Sequence, residues 1–236
     1  MKTIYHAAGE RGHANHGWLN AWHSFSFANF FDRDKIQFGA LRVLNDDTIA
    51  AGMGFGMHPH DNMEIITIPL SGKVRHRDSM GNEGVISAGE VQVMSAGKGI
   101  VHSELNASSS EELKLFQIWI FPKERNIQPS YAQQAFQESD RANKFQTIVS
   151  GSGIDGSLQI HQQARLLLGD FNSSQKVTHT LESAGNGLFV MLIAGNVSIA
   201  GKELSDRDAM GIWDTEEVEL VIHEKAQLLL IEVPMA

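Results

Sequence analysis

The chain reads as short runs of alternating apolar and polar residues, punctuated by glycine turns. From Trp22 onward, His23, Phe25 and Phe27 alternate with Trp22, Ser24 and Ser26, the period of a half-buried strand. Residues 40–44 form the next run and end at Asn45-Asp46-Asp47, which reads as a turn. Residues 64–69 form another, closed by Ser71-Gly72, and residues 73–77 alternate up to a turn at Ser79-Met80-Gly81-Asn82. Gly89 opens a strand over 90–94, and residues 113–121 make a longer one with Phe116, Ile118 and Ile120 on one face. Between Pro122 and Ser139 the pattern lapses into a polar stretch, which predicts a surface linker with at most a helical turn. Strands resume over 158–162, 164–168, 189–194, 197–200, 218–222 and 227–233, with hairpin turns at Gly185-Asn186-Gly187 and Gly195-Asn196.

This density of short strands predicts an all-β chain of two antiparallel β-barrel or jelly-roll domains in tandem, with only short helical segments. The expected units are residues 1–130 and 131–236, each near the ordinary domain size of about 100–150 residues. A closed sheet removes its own edges and encloses a lumen that can house a metal and a small molecule.

Composition narrows the chemistry. With 42% hydrophobic and 20% charged residues the chain is a globular protein and not a disordered one. Its net charge of −9 contains no basic block, which argues against nucleic acid or an anionic membrane as partner. The absence of cysteine excludes disulfides, thiolate metal sites and cysteine nucleophiles. The N-terminal residues hold no apolar signal core, and no apolar run approaches the ~20 residues of a membrane span, so a cytoplasmic location is expected.

Two stretches carry candidate metal ligands: Gly56-Met57-His58-Pro59-His60 and Val101-His102-Ser103-Glu104. Side chains two apart on a strand share a face, so His58 pairs with His60 and His102 with Glu104, two pairs that could hold one ion from facing strands. Three imidazoles and a carboxylate suit Fe(II), Ni(II), Co(II), Mn(II), Cu(II) or Zn(II), and octahedral geometry leaves two positions open. Glu64 competes with Glu104, because strand parity does not separate them. An unbroken strand would place Glu64 ~13 Å from His60, though a turn could bring it back; Glu104 needs no turn. His13, His16 and His23 are irregularly spaced among aromatics and read as packing or hydrogen-bonding residues, while His161, His179 and His223 stand alone. Met53, Phe55 and Met57 flank the first pair and could line the mouth of a pocket.

Two resemblances follow. The spacing from Gly52 through His58, His60 and Glu64 to Gly72, and then from Gly89 through Gly97 and His102 to Asn106, resembles the two-part cupin motif. It departs from that motif at Ser95, where proline is usual, at the late position of His102 after Gly97, and by one extra residue before Gly72. The segments Arg11-Gly12-His13-Ala14-Asn15-His16-Gly17-Trp18-Leu19, Trp22-His23-Ser24-Phe25-Ser26-Phe27, Phe38-Gly39-Ala40-Leu41-Arg42, His76-Arg77-Asp78-Ser79 and Met94-Ser95-Ala96-Gly97-Lys98-Gly99-Ile100-Val101-His102-Ser103-Glu104 resemble the pirins. The C-terminal part is similar, more diffusely, to bacterial pirin-like quercetin dioxygenases. The resemblance implies a bicupin with a metal only in its first half, His58, His60, His102 and Glu104 as ligands, and Fe(II) as the metal. Glu64 is then left to a supporting role. It also implies a flavonol 2,3-dioxygenase using O2 as co-substrate, with Glu104 as general base. Two further readings stand beside it. One is a regulatory protein whose metal gates binding to a protein partner, such as a transcription factor or an enzyme. The other is a cupin isomerase, for which Lys98 is the lone basic residue adjoining the motifs.

Overall fold

The computed structural model describes residues 1–235, with the side chain of Asp155 left aside; Ala236, the last residue of the expected second unit, lies outside the described residues. The chain is all-β, with 3-10 turns among the described residues only at Ala8–Glu10, Glu138–Arg141 and Ile154–Gly156. It forms the expected pair of barrels. In the first, a seven-stranded sheet runs in the order Ser130–Ala135, Glu90–Ser95, Glu64–Ser71, Leu113–Ile120, Leu41–Ile49, Leu19–His23, Gly12–Asn15. It closes against a four-stranded sheet of Gly54–His60, Ile100–Asn106, Lys73–Asp78 and Glu83–Ser87. The second barrel repeats this plan. Its large sheet runs Lys2–His6, Ala209–Trp213, Asn186–Ala194, Ala226–Pro234, Arg165–Phe171, Phe145–Ser150, Leu158–Gln159, and its small one Gln175–Thr180, Glu217–Ile222, Val197–Ile199, Lys202–Leu204.

The two large sheets pack back to back. One core cluster joins Phe116, Ile118 and Ile120 of the first half to Phe189, Leu229, Ile231 and Val233 of the second. Alternate residues of the same strands face the lumens, so the central strands are buried on both sides and read as continuous apolar runs. Burial of these apolar side chains stabilises the pairing by about 1.5–3 kcal/mol each.

Three local readings are corrected. Asn45-Asp46-Asp47 is no turn but the middle of strand Leu41–Ile49, where Asn45 bonds His23, Asp46 meets Arg11 and Asp47 is buried against the cavity. The presumed linker holds strand Ser130–Ala135, an edge strand paired with Glu90–Ser95, and its polar character is that of a sheet edge. Strand Leu19–His23 ends before Phe25 and Phe27, which lie in the following loop. The N-terminal strand Lys2–His6 joins the second barrel: it pairs with Ala209–Trp213, strapping the N-terminus to the second half.

Candidate metal centre

Strands Gly54–His60 and Ile100–Asn106 are neighbours in one sheet, with His102 opposite His58 and Ile100 opposite His60. The pairs of ligands therefore sit side by side and not on facing strands as expected. Between His102↔His58 and Glu104↔Phe55 strand Gly54–His60 carries one extra residue, while strand Ile100–Asn106 keeps its alternation, so Glu104 faces inward with His102. Gly54 permits this close passage, since a Cβ there would collide with the Glu104 carbonyl.

His58, His60 and His102 converge, each offering a ring nitrogen, with those atoms within 4.8 Å of one another. Their ring centroids are 4.4 Å apart for His58 and His102 and 4.9 Å for the other two pairs. His58 Nδ1 lies 2.7 Å from the Gly56 carbonyl. A carbonyl can only accept, so Nδ1 holds the proton and Nε2 presents its lone pair. His102 is fully buried with neither ring nitrogen bonded to protein. A buried imidazole stranded in this way is costly unless something else binds it. Burial, with repulsion from His58 and His76, pushes His102 down to about 3; burial and repulsion from His102 and His58 push His60 down to about 4. His60 and His102 are therefore neutral at physiological pH, the form that binds a divalent metal. The residues present fit such an ion.

Glu104 joins His102 in a second set of metal-competent groups whose third member is His76, all three buried. Its Oε1 accepts from Thr67 Oγ1 at 2.9 Å and its Oε2 from Gln117 Nε2 at 2.7 Å. Each carboxylate oxygen keeps a lone pair beyond those bonds. His76 stacks on Tyr131 with centroids 4.9 Å apart and lies 3.4 Å from Asp78 Oδ2 and from Gln92 Nε2. Sequence spacing singled out neither His76 nor Gln117. Glu64, the carboxylate of the usual cupin motif, points elsewhere. Its Oε2 accepts from Ser95 Oγ at 2.6 Å and from the His161 backbone N–H of the second barrel at 3.2 Å. Ser95, the residue standing where cupins have proline, thus supplies the hydroxyl that holds Glu64 at the domain boundary.

The imidazoles open into a cavity of about 490 Å³, well within the range of small-molecule sites. Trp18, Phe27, Phe55 and Trp119 supply flat aromatic walls, and Trp119 meets His60 edge-on at 4.8 Å. Phe55 is there as expected, but Met53 and Met57 point to solvent, 45% and 56% exposed. His16 and His23 also line the cavity, His23 bonded to Asn45 at 2.9 Å, whereas His13 stacks on Trp22 outside it. The polar floor comes from the large sheet: Asn45 and Asp47 from one strand, Gln117 from the next. Asp47 is 4% exposed, its Oδ1 has no partner, and burial, reinforced by Asp46 and Glu104, pushes its carboxyl up to about 8. Among the described residues, both metal-competent sets lie in this barrel. No helix among them is long and apolar enough to cross a membrane.

Comparison with known proteins agrees with this architecture. Residues 5–120 match the family model described as Pirin, and residues 147–233 that of the quercetinase C-terminal cupin domain. A protein of Escherichia coli named quercetin 2,3-dioxygenase is 46% identical over 96% of each chain. The chain belongs to the pirin family. A pirin-like protein of Caulobacter vibrioides is 42% identical over 94% of this chain and 95% of its own. The crystal structure of the bacterial pirin YhhW of E. coli in complex with nickel(II) superposes with a TM-score of 0.94 at 43% identity, covering all of both chains. A pirin of this shape, the E. coli protein, thus accepts a divalent metal.

Proposed function

We propose that this pirin is a metal-dependent dioxygenase that opens the C-ring of quercetin and related flavonols with O2, releasing CO, with the metal held by His58, His60, His102 and Glu104. The observation that carries the reading is the junction of three convergent imidazoles with an aromatic-walled cavity. A site serving structure alone would need no such space, and a flat polyphenol is the ligand that aromatic walls favour. The name of the E. coli relative supports the same substrate class.

Fe(II) is the proposed resident ion. When bound it supplies Lewis-acid activation of the flavonol 3-hydroxyl and a meeting place for dioxygen. The chain's own residues do the rest. Glu104 accepts the 3-hydroxyl proton as general base, held in place by the Thr67 and Gln117 hydrogen bonds. Trp18, Phe55 and Trp119 orient the rings and exclude water. Both oxygen atoms of O2 enter the ring-opened depside and the C3 carbon leaves as CO, so no further co-reactant is required.

The test is oxygen-dependent loss of quercetin absorbance with CO detected in the headspace, on protein stripped by chelator and reloaded with each first-row divalent metal in turn. Turnover restored by reloading is expected. Absence of turnover with every metal would overturn the reading.

A further inference from the structure

Most polar groups on the cavity floor are engaged by neighbours. Asn45 is bonded to His23, and Gln117 and Thr67 both reach Glu104. Asp47 is different. It lies two residues from Asn45 on the same strand face, between Ala21 and Leu115 on the adjoining strands. Its carboxyl is buried, lines the cavity, and leaves Oδ1 without a hydrogen-bond partner. Ala21 also lines the cavity, and its methyl group leaves the carboxyl uncovered. Trp119 Nε1, on the same cavity wall, likewise lacks a partner.

An orphaned buried carboxyl is destabilising, and a fold could remove it by substituting a residue of similar volume. Its presence without a partner, on a floor where Asn45 and Gln117 are already bonded, marks a position where something from outside completes the hydrogen bond. Burial keeps this carboxyl protonated at neutral pH, so it offers a donor as well as an acceptor. A phenolic hydroxyl, itself donor and acceptor, complements it.

Resting on the flavonol reading above, we infer that Asp47 is the substrate-recognising group of the cavity, hydrogen-bonding one ring hydroxyl of the polyphenol remote from the 3-hydroxyl. Asp47 chooses among flavonols by their hydroxylation pattern and takes no part in metal binding. Trp119 Nε1 is a second donor to the same ligand.

The test is equilibrium binding, read from quenching of tryptophan fluorescence, with nickel(II)-loaded protein under argon so that no ligand is consumed. The probes are quercetin and flavonols lacking one of its 5-, 7-, 3′- or 4′-hydroxyls. The wild type should prefer quercetin over one of these analogues by about tenfold or more. Asp47→Leu should lose that preference while binding the deficient analogue as the wild type does. Asp47→Asn, which keeps a donor and an acceptor, should retain most of it. Metal content should stay at the wild-type value in both variants, and the Tm of Asp47→Asn should be no lower. If Asp47→Leu does not fold, Asp47→Ala takes its place. Wild-type preference surviving in the apolar variant, or equal loss on every flavonol, would overturn the assignment of Asp47 alone. A wild type that binds the flavonols with no preference at any hydroxyl would do the same. A wild type that binds no flavonol would overturn the flavonol reading and this inference with it.

Discussion

Glu104→Gln separates proton transfer from architecture, because the surroundings of the carboxylate can absorb the change. Glu104 is buried, 4% exposed, and bonded to Thr67 Oγ1 and Gln117 Nε2. An amide at this position would put an N–H2 where Oε2 faces the Gln117 donor. Turning over the Gln117 amide presents its oxygen to the new N–H2. Thr67 Oγ1, already 3.3 Å from that side chain, then accepts from the Gln117 nitrogen while still donating to residue 104. Every hydrogen bond of the triad is thereby remade, so Tm should move little and one ligating oxygen remains. What the amide lacks is the capacity to take a proton at neutral pH. General base catalysis contributes ~10²–10⁴ in rate, about 3–5 kcal/mol of barrier. The flavonol turnover rate per bound metal should fall by that factor. The assay pairs elemental analysis of metal with initial rates of quercetin loss at saturating substrate. Wild-type turnover per metal would refute the base assignment, and a loss of rate that merely follows lost metal would reduce Glu104 to a ligand. Glu64→Gln is the control, since Glu64 is held by Ser95 and His161 at the domain boundary; turnover should be near wild type.

His60→Ala should shed most of the bound metal in elemental analysis while retaining the β-rich circular dichroism spectrum; full occupancy would remove His60 from the ligand set. Asp46 accepts from Arg11 at 3.2 Å and forms an ion pair with Arg207 of the second half at 2.9 Å, both contacts largely buried. Asp46→Ala leaves two arginines facing each other and should cost about 2–4 kcal/mol in urea unfolding, below the fully buried range because Arg207 is partly exposed; a change under about 0.5 kcal/mol would dismiss this cross-domain pair as a stabiliser. His6, wedged edge-on between Phe25 and Phe189, is pushed down to about 4, chiefly by burial and further by Lys35. Its unfolded value is near 6.5, so the unfolded chain binds the extra proton in that window and stability falls as pH drops from about 6.5 through 4. His6→Leu should flatten Tm against pH over this window, and an unchanged slope would show that the acid sensitivity lies elsewhere.

The convergent imidazoles and the barrel class were legible because both rest on local periodicity: His-x-His on a strand between glycines, and strand after strand at turn spacing. Pairing across the chain was not. Nothing in Lys2–His6 announces Ala209–Trp213 as its partner, because that choice is made by packing far along the sequence. Asn45-Asp46-Asp47 carries turn residues, yet it lies mid-strand because the lumen needs polar groups on one face and Arg11 and Arg207 meet Asp46 on the other. Local propensity failed where the site is built, which is where such failures are expected. The fate of Glu64 was likewise open to parity but settled by three dimensions: Ser95 and the His161 amide hold it at the domain boundary.

The two barrels share one plan and differ in what fills them. In the second, Val218, Leu220 and Ile222 of strand Glu217–Ile222 join Leu188, Val190, Leu228 and Leu230 in one aliphatic cluster that occupies the lumen. In the first, the matching strand Ile100–Asn106 brings His102 and Glu104 inward, and the apolar core divides into two smaller clusters, around Leu113 and around Met94. A hollow lumen forgoes packing that a filled one keeps. The back-to-back contact of the large sheets, rich in Phe, Leu and Ile, offsets that loss by tying the hollow barrel to the filled one. Among the described residues, the second barrel brings together no three side chains that could share an ion. Its buried His179 faces Glu232 at 3.3 Å, and Asn186 donates to the same carboxylate at 2.9 Å, so the carboxylate is already engaged. The protein should bind one metal per chain. His58→Ala should abolish that single equivalent, and metal removal should lower Tm through loss of binding to the first barrel, by the equivalent of about 2.7 kcal/mol at a hundredfold excess over Kd. Two tightly bound equivalents in the wild type, one of them surviving His58→Ala, would show that the filled barrel is not what keeps metal out of the second half.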